Sequence, residues 1–586
     1  MRVALPLVPG AVFLGFMVQA VGAPAAGARD PMADTWVATD ALGRTLPDHA
    51  ACGGPREGKQ VGIFYFLWLG EHGAAQGKVH DITKILAANA KDPQWGPVHH
   101  FHHWGEPHLG YYRSRDRFVI RKHIQMLSDA GVDVLFCDVT NAFTYDAVVA
   151  ELCGVLAEIR ATGRVVPRIA FLTNSASAKT VQHLYDTVYK AGRFRESWCP
   201  WLGKPLLLAP VEGIGPEVLD FFTLRQSWAW TRRGGWFGDG KDKWPWVDDH
   251  PQGAGWHESP QKPEQISVCV AQHPTSNIGR SFSGGKQPPE SQRRTAKGPC
   301  FEEQWARAHE VDPPFVFITG WNEWVAQRFV KGEKGGPGQM LGKPLKPGDT
   351  FFVDQFNEEY SRDIEPMRGG HGDNYYYQMV GHIRRFKGVR PRPRASSPKT
   401  IRIDGDFSQW GGVGSAFFDD LGDTAHRDHP GFGDTPPYVN ATGRNDLDVM
   451  KVARDAGNLY FYARCRDVLS PATDADWMVL LVDSDANPKT GWEGYDLMVN
   501  RARREGGSAT IERRSGSRWV LAGQAPFFAS GAEMHLAVPR ETLGLSGRPA
   551  RIDFKWIDGV APRDIMDFID RGDAAPNGRF KYRYEE

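Results

Sequence analysis

The chain has 586 residues, with 70 Lys+Arg balanced by 70 Asp+Glu. That length excludes a single ordinary domain and calls for two or three, each able to bury its own core. The even charge excludes bulk attraction to nucleic acid or to an anionic membrane surface. Tryptophan is abundant, 20 residues against 12 methionines, a bias in keeping with flat apolar surfaces of the kind sugars stack on.

Residues 1–28 read as an export signal. Arg2 precedes an apolar stretch through Val21, and Ala26-Gly27-Ala28 offers a small-residue cleavage site. Pro6, Pro9 and Gly10 interrupt the stretch and favour cleavage over a retained anchor. The expectation is a secreted or periplasmic protein with no stable membrane insertion after signal removal. Seven cysteines, without a CxxC pair, do not make a disulfide framework.

From residue 55 to 388 apolar strands alternate with helices. The strands are expected at Val61–Trp68, Val132–Val139, Arg168–Thr173, Pro205–Ala209, Phe222–Trp230, Gln265–Gln272 and Phe315–Gly320, with a weakly marked eighth at Phe352–Phe356. A helix is expected after Asp116, which can cap it, with Ile120, Ile124 and Leu127 on one face and Gly131 at its end. Strands and helices in this alternation predict α/β architecture, a (β/α)8 TIM-like barrel with long loops. The first strand runs into Leu67-Trp68-Leu69-Gly70-Glu71-His72, which lacks the glycine fingerprint of a nucleotide-binding open sheet.

In a parallel barrel, chemistry sits at the carboxyl ends of the strands. The run Phe315–Thr319 ends on Gly320 and then delivers Trp321-Asn322-Glu323-Trp324. Glu323 is the candidate acid, base or nucleophile, Asn322 a candidate for holding a hydroxyl, and Trp321 and Trp324 candidate walls. The second strand delivers Asp138. His99-His100-Phe101-His102-His103-Trp104-Gly105-Glu106 is dense in imidazoles but lacks the helical spacing that points two of them at one metal, so substrate-lining or surface roles are expected for its histidines, His103 among them, while Trp104 is a candidate wall with Trp321 and Trp324. A metal-dependent hydrolase or lyase using this His-rich loop is a further alternative. Glu71, Glu106 and Glu258 join Asp138 as carboxylates that could partner Glu323, and Asp138 leads because a strand tip positions a side chain better than a loop. The acid-rich stretch Asp354–Glu365 around Arg362 is expected to be an ion-paired loop at the mouth. A helix over Asn374–Lys387 closes the domain.

Pro107-His108-Leu109-Gly110-Tyr111-Tyr112-Arg113-Ser114-Arg115-Asp116, Ile120-Arg121-Lys122-His123-Ile124 and the late Gly320-Trp321-Asn322-Glu323-Trp324 resemble segments of the glycoside hydrolase family 71/99-like barrels. The resemblance implies a glycosidase in which Glu323 is catalytic. Family 99 endo-mannosidases carry a second catalytic Glu three residues later, and this chain has Ala326 there. The resemblance therefore leaves two readings: a hydrolase that draws its second carboxylate from elsewhere and needs no cofactor for catalysis, or a non-catalytic carbohydrate-binding protein on a degenerate barrel. In either case the expected partner is a polysaccharide or glycan.

A proline-rich linker follows at residues 389–399, and residues 400–586 change to alternating strands and turns, predicting an all-β sandwich. Ile403-Asp404-Gly405-Asp406-Phe407-Ser408-Gln409-Trp410, Asn458–Phe461 and Asp483–Asp496 resemble the family 9-like carbohydrate-binding modules. Asp483, Asp485 and Asn487 alternate oxygen ligands in a way that suits a structural Ca²⁺, and a hydrogen-bonded turn without an ion is the alternative.

Overall fold

The computed structural model describes residues 29–71, 77–474, 476–504 and 507–586. The expected signal segment and His72 lie outside them. Seven apolar runs form the parallel strands β1 (Gln60–Tyr65), β2 (Val134–Val139), β3 (Arg168–Thr173), β4 (Lys204–Leu208), β5 (Thr223–Arg225), β6 (Pro263–Cys269) and β7 (Phe315–Thr319). Their spatial order is β5-β4-β3-β2-β1-β7-β6. That is sequence order wrapped into a ring and opened once, between β5 and β6.

Residue parity shows how far the sheet has curled. Side chains alternate across a strand, and here the two sets enter different cores. Phe64, Phe66, Val134, Phe136, Ala170, Leu172, Leu206, Leu208, Phe315 and Phe317 gather in one inner cluster. Val61, Ile63, Leu135, Cys137, Ile169, Phe171, Leu207, Ile266, Val268, Val316 and Ile318 pack outward, where helix residues such as Ile124, Leu152, Val181 and Trp305 meet them. Gly62 falls in the inner set for want of room: a methyl there would stand 2.3 Å from the Phe136 ring and 2.8 Å from Phe315.

The expected eighth strand at Phe352–Phe356 is not part of this ring. Thr350–Val353 instead pairs antiparallel with Val325–Val330, which pairs with Phe101–His103 in a separate three-stranded sheet. The opening is bridged by residues 242–247. The Trp244 amide donates to Gln226 O at 2.9 Å and the Trp230 amide to Val247 O at 2.8 Å. From the other side the Gln265 side-chain amide donates to Pro245 O at 2.8 Å. The Trp244 ring enters the inner cluster 4.6 Å from Phe315. Below it the buried Glu264 carboxylate accepts two bonds from Arg225, both 2.7 Å, and one each from the indoles of Trp201 and Trp244. A buried charge is tolerable when satisfied to this degree.

Helix α1 (Arg117–Ala130) starts on Asp116, whose carboxylate accepts from the Phe118 and Val119 amides, and ends on Gly131 in the left-handed region. Helix α2 (Asn374–Lys387) packs beside it. Residues 389–392 are anchored to the N-terminal arm. The Val389 amide donates to Gly53 O, and Arg390 pairs with Asp30 and Asp34.

The second domain is antiparallel. Its long strand Arg518–Ser530 pairs with Ser508–Ser515 along one part and Glu533–Pro539 along the other, joining two halves around one apolar core. That core is continuous with the helix layer of the first domain. Ion pairs also cross the seam: Arg427 meets Asp116 at 2.7 Å, Arg579 meets Asp373 at 2.6 Å, and Arg164 meets Asp420 at 2.8 Å. The seven cysteines are all free. Among the described residues no helix is long and apolar enough to cross a membrane.

Candidate active site

The loop after β7 places Glu323 at the carboxyl end of the curled sheet, with its side chain 10% exposed. The acid-rich stretch noted in the sequence folds back onto it. Arg362 Nη2 lies 2.9 Å from Glu323 Oε2. The Gln355 amide nitrogen donates to the same oxygen at 3.2 Å and to Asp363 Oδ2 at 3.0 Å. Asp363 Oδ1 accepts the Glu323 backbone amide at 2.8 Å. Asp354 stands 3.8 Å from Arg362 and 3.5 Å from His273. The Arg362 guanidinium lies over the half-buried Trp246, 5.2 Å from the ring centroid.

Asp138 emerges from the inner face of β2 at the same end. Its Oδ1 accepts from the Thr140 amide at 3.0 Å and hydroxyl at 2.7 Å, and its Oδ2 from the Trp68 indole at 3.2 Å. Trp68 in turn packs on Phe66 at 4.3 Å and Phe101 at 4.9 Å.

One buried guanidinium thus faces several carboxyls. Burial pushes the Glu323 carboxyl well above the ordinary glutamate range. Arg362 opposes that, while the charges of Asp354, Asp363 and Asp138 add to it. Burial likewise raises Asp363 to about 7, against the Glu323 amide and Arg362. Asp138 also moves upward through burial, held back by its Thr140 and Trp68 donors. Burial and mutual repulsion thus favour the protonated form of Glu323, Asp363 and Asp138.

The tryptophans expected as walls serve otherwise. Trp104, Trp321 and Trp324 are fully buried. Trp104 and Trp324 stack on each other at 4.2 Å, and the Trp104 indole donates to Glu323 O at 3.1 Å. An indole face used for packing is unavailable to a ligand. These residues fix the backbone that carries Glu323. Asn322 is spent similarly: its amide oxygen accepts the Phe66 amide at 2.8 Å and its nitrogen donates to Phe66 O at 3.1 Å, clamping the end of β1. Below them Glu365 accepts from Tyr112 at 2.6 Å and Trp324 at 2.5 Å. The half-buried rings at this end are Trp68, Phe101 and Trp246.

The other expected site residues scatter. Glu106 is paired with Lys84 at 2.5 Å and Arg368 at 3.5 Å, and Glu258 forms an exposed pair with Lys262 at 2.7 Å. His103 is buried edge-on between Tyr111 at 4.8 Å and Phe432 of the second domain at 4.9 Å, and burial pushes its pKa down to about 3. Glu71 is half-buried, and Tyr145 feels its charge together with that of Asp138. Ala326 packs in an apolar cluster with Ile82, Phe351 and Phe352, so a carboxylate at that position would be buried among hydrocarbon. Among the described residues, no group able to hold a metal includes the histidines of the His-rich loop.

Two groups do have that capacity. In the first, Asp496 joins Asp483 and Asp485. The Asn487 oxygen accepts the Lys489 amide at 3.1 Å, and its backbone amide donates to Asp483 at 3.1 Å and Asp485 at 3.0 Å. Lys581 already brings an ammonium to within 3.1 Å of Asp483. The second group lies in the domain seam.

No family model matches the chain, and no curated protein does. Among solved structures, the GH99 endo-alpha-mannosidase from Bacteroides thetaiotaomicron aligns at 17% identity. One structure gives a TM-score of 0.33 over 57% of this chain and 98% of that one. The complex with bis-tris-propane gives 0.32 over 56% and 97%. Likeness at this level carries no argument about chemistry.

Proposed function

We propose that the protein is an exported glycoside hydrolase on a (β/α)8-type barrel, acting on a polysaccharide or glycan, with Glu323 as its proton-donating acid-base group and Asp138 as the second carboxylate. The observation that carries this reading is the Glu323 carboxyl at the strand tip, raised by burial and then by its acidic neighbours, and held in place by Arg362 and Gln355. Glycosidic cleavage needs two carboxyls on either side of the bond, one of them protonated to leave with the oxygen. Asp138 sits at the same end with three donors fixing its orientation. The Gly320–Trp324 motif supports the same reading. The second domain is proposed to grip the same class of glycan, on the strength of its sequence resemblance.

The test is release of reducing ends from a panel of plant, algal and microbial polysaccharides by wild type, Glu323→Gln and Asp138→Asn. The reading predicts release by wild type, with both variants reduced on the order of 10²–10⁴-fold, the usual range for an acid-base group. A glycan cleaved as fast by Glu323→Gln as by wild type would overturn it.

A further inference from the structure

The seam between the domains holds an acidic group with no part in the chemistry above. Asp419 and Asp423 follow the strand Ala416–Phe418, and Asp573 opens the strand Asp573–Ala575. They are 1%, 4% and 2% exposed. One carboxylate oxygen from each can be chosen so that all three lie within 4.8 Å of one another.

The hydrogen bonds divide these carboxylates into used and unused oxygens. Asp423 Oδ2 accepts from Gln125 of α1 at 2.7 Å and faces Lys122 at 3.8 Å. Asp573 Oδ2 accepts the Leu447 amide at 2.6 Å. Asp423 Oδ1, Asp573 Oδ1 and both oxygens of Asp419 complete no hydrogen bond. Burial and the neighbouring charges of Asp573, Asp423 and Asp420 all disfavour the Asp419 carboxylate. Of the nearby cations, Arg164 bonds Asp420 and Asp129, Lys122 faces Asp423, and the Lys555 ammonium, which donates to Pro576 O, lies within the charges of Asp419 and Asp573. Three buried carboxylates with four idle oxygens are costly as anions, and a cation that joins them would remove that cost. A surface cavity of about 450 Å³ lies next to this loop, lined by Gly422, Thr424 and Asp446 together with Arg121, Arg444 and Arg466.

We propose that Asp419, Asp423 and Asp573 ligate a divalent cation of the calcium class, which pins the loop at residues 419–423 and the strand at 573–575 together under helix α1. The donor set is all oxygen, without thiol or imidazole, which selects a hard cation. Calcium also accepts the irregular, partly hydrated shell that three carboxylates leave. The site is separate from Asp483, where Lys581 already supplies the positive charge.

Metal content of the full chain after desalting, measured by elemental mass spectrometry, and thermal melting with calcium or a chelator test this. Wild type is expected to retain about one calcium per chain and to melt several degrees lower after chelation. Asp419→Asn and Asp573→Asn are expected to bind calcium on the order of 100-fold more weakly and to melt at a temperature insensitive to chelator. Asp485→Asn should behave as wild type. A wild type without divalent metal whose melting ignores millimolar calcium would overturn the proposal. So would calcium retained in both seam variants, or lost only in Asp485→Asn. The wild-type measurements stand even if a seam variant fails to fold.

Discussion

Arg362 is the group on which the ionisation of Glu323 turns, because its charge is the largest influence opposing burial there. Removing that charge disfavours the carboxylate, so the pKa of Glu323 must rise further. Arg362→Gln is therefore expected to move the basic limb of the kcat/KM profile upward by about one unit or more, and to cost about 3–5 kcal/mol for a broken buried pair. A limb that stays in place would mean the titrating acid is not Glu323. His103 makes a second prediction at this scale. Its folded pKa of about 3 lies below the unfolded value near 6.5, so the stability it contributes is present above pH 6.5 and is lost as pH falls toward 3. At pH 5 the loss is about 2 kcal/mol. Both ring nitrogens lack hydrogen-bond partners, so His103→Phe should fold and should lose less stability than wild type between pH 7 and pH 5. Equal acid sensitivity in chemical unfolding would contradict this.

Among the elements, the tightest point is the inner face of β1. A methyl on Gly62 has no room between Phe136 and Phe315, so Gly62→Ala is expected to cost about 1–3 kcal/mol, read as a lower unfolding midpoint, while Gly54→Ala, exposed and with no atom nearer the added methyl than 4.0 Å, costs less. Six of the parallel strands were legible in the sequence as largely apolar runs of strand length, whereas the expected strand Phe222–Trp230 pairs only over Thr223–Arg225. The stave at 242–247 was not legible. Pro245 interrupts it, and its partners are backbone groups of 226–230 and the side chain of Gln265. Glu323 was legible because a carboxylate beside an amide and two indoles at a strand tip is an unusual arrangement. The roles of those indoles and of Asn322 were misassigned, since an indole face suits a core as well as a sugar, and an amide that clamps a strand looks like one that holds a hydroxyl. The acid-rich stretch was visible, but Arg362 and Asp363 come about forty residues after Glu323, and only the return of the chain brings them to it.

Over the whole molecule, the proline-rich join suggested two bodies on a spacer, whereas the structure has them fused along a seam with a continuous apolar layer. Calorimetry is expected to show one cooperative transition, and Arg427→Ala, which strands the buried Asp116 carboxylate, should lower it as a unit by about 3–5 kcal/mol. Two separate transitions in wild type would contradict the fused account. The central claim is that this assembly presents one acid for cleavage. Its most direct test is a comparison of binding and turnover for wild type and Glu323→Gln on a glycan that the wild type binds. The account predicts affinity by calorimetry within about threefold and turnover reduced on the order of 10²–10⁴-fold in the variant. Equal affinity with no cleavage by either protein would contradict it, and would mark the barrel as one that holds glycans without cutting them.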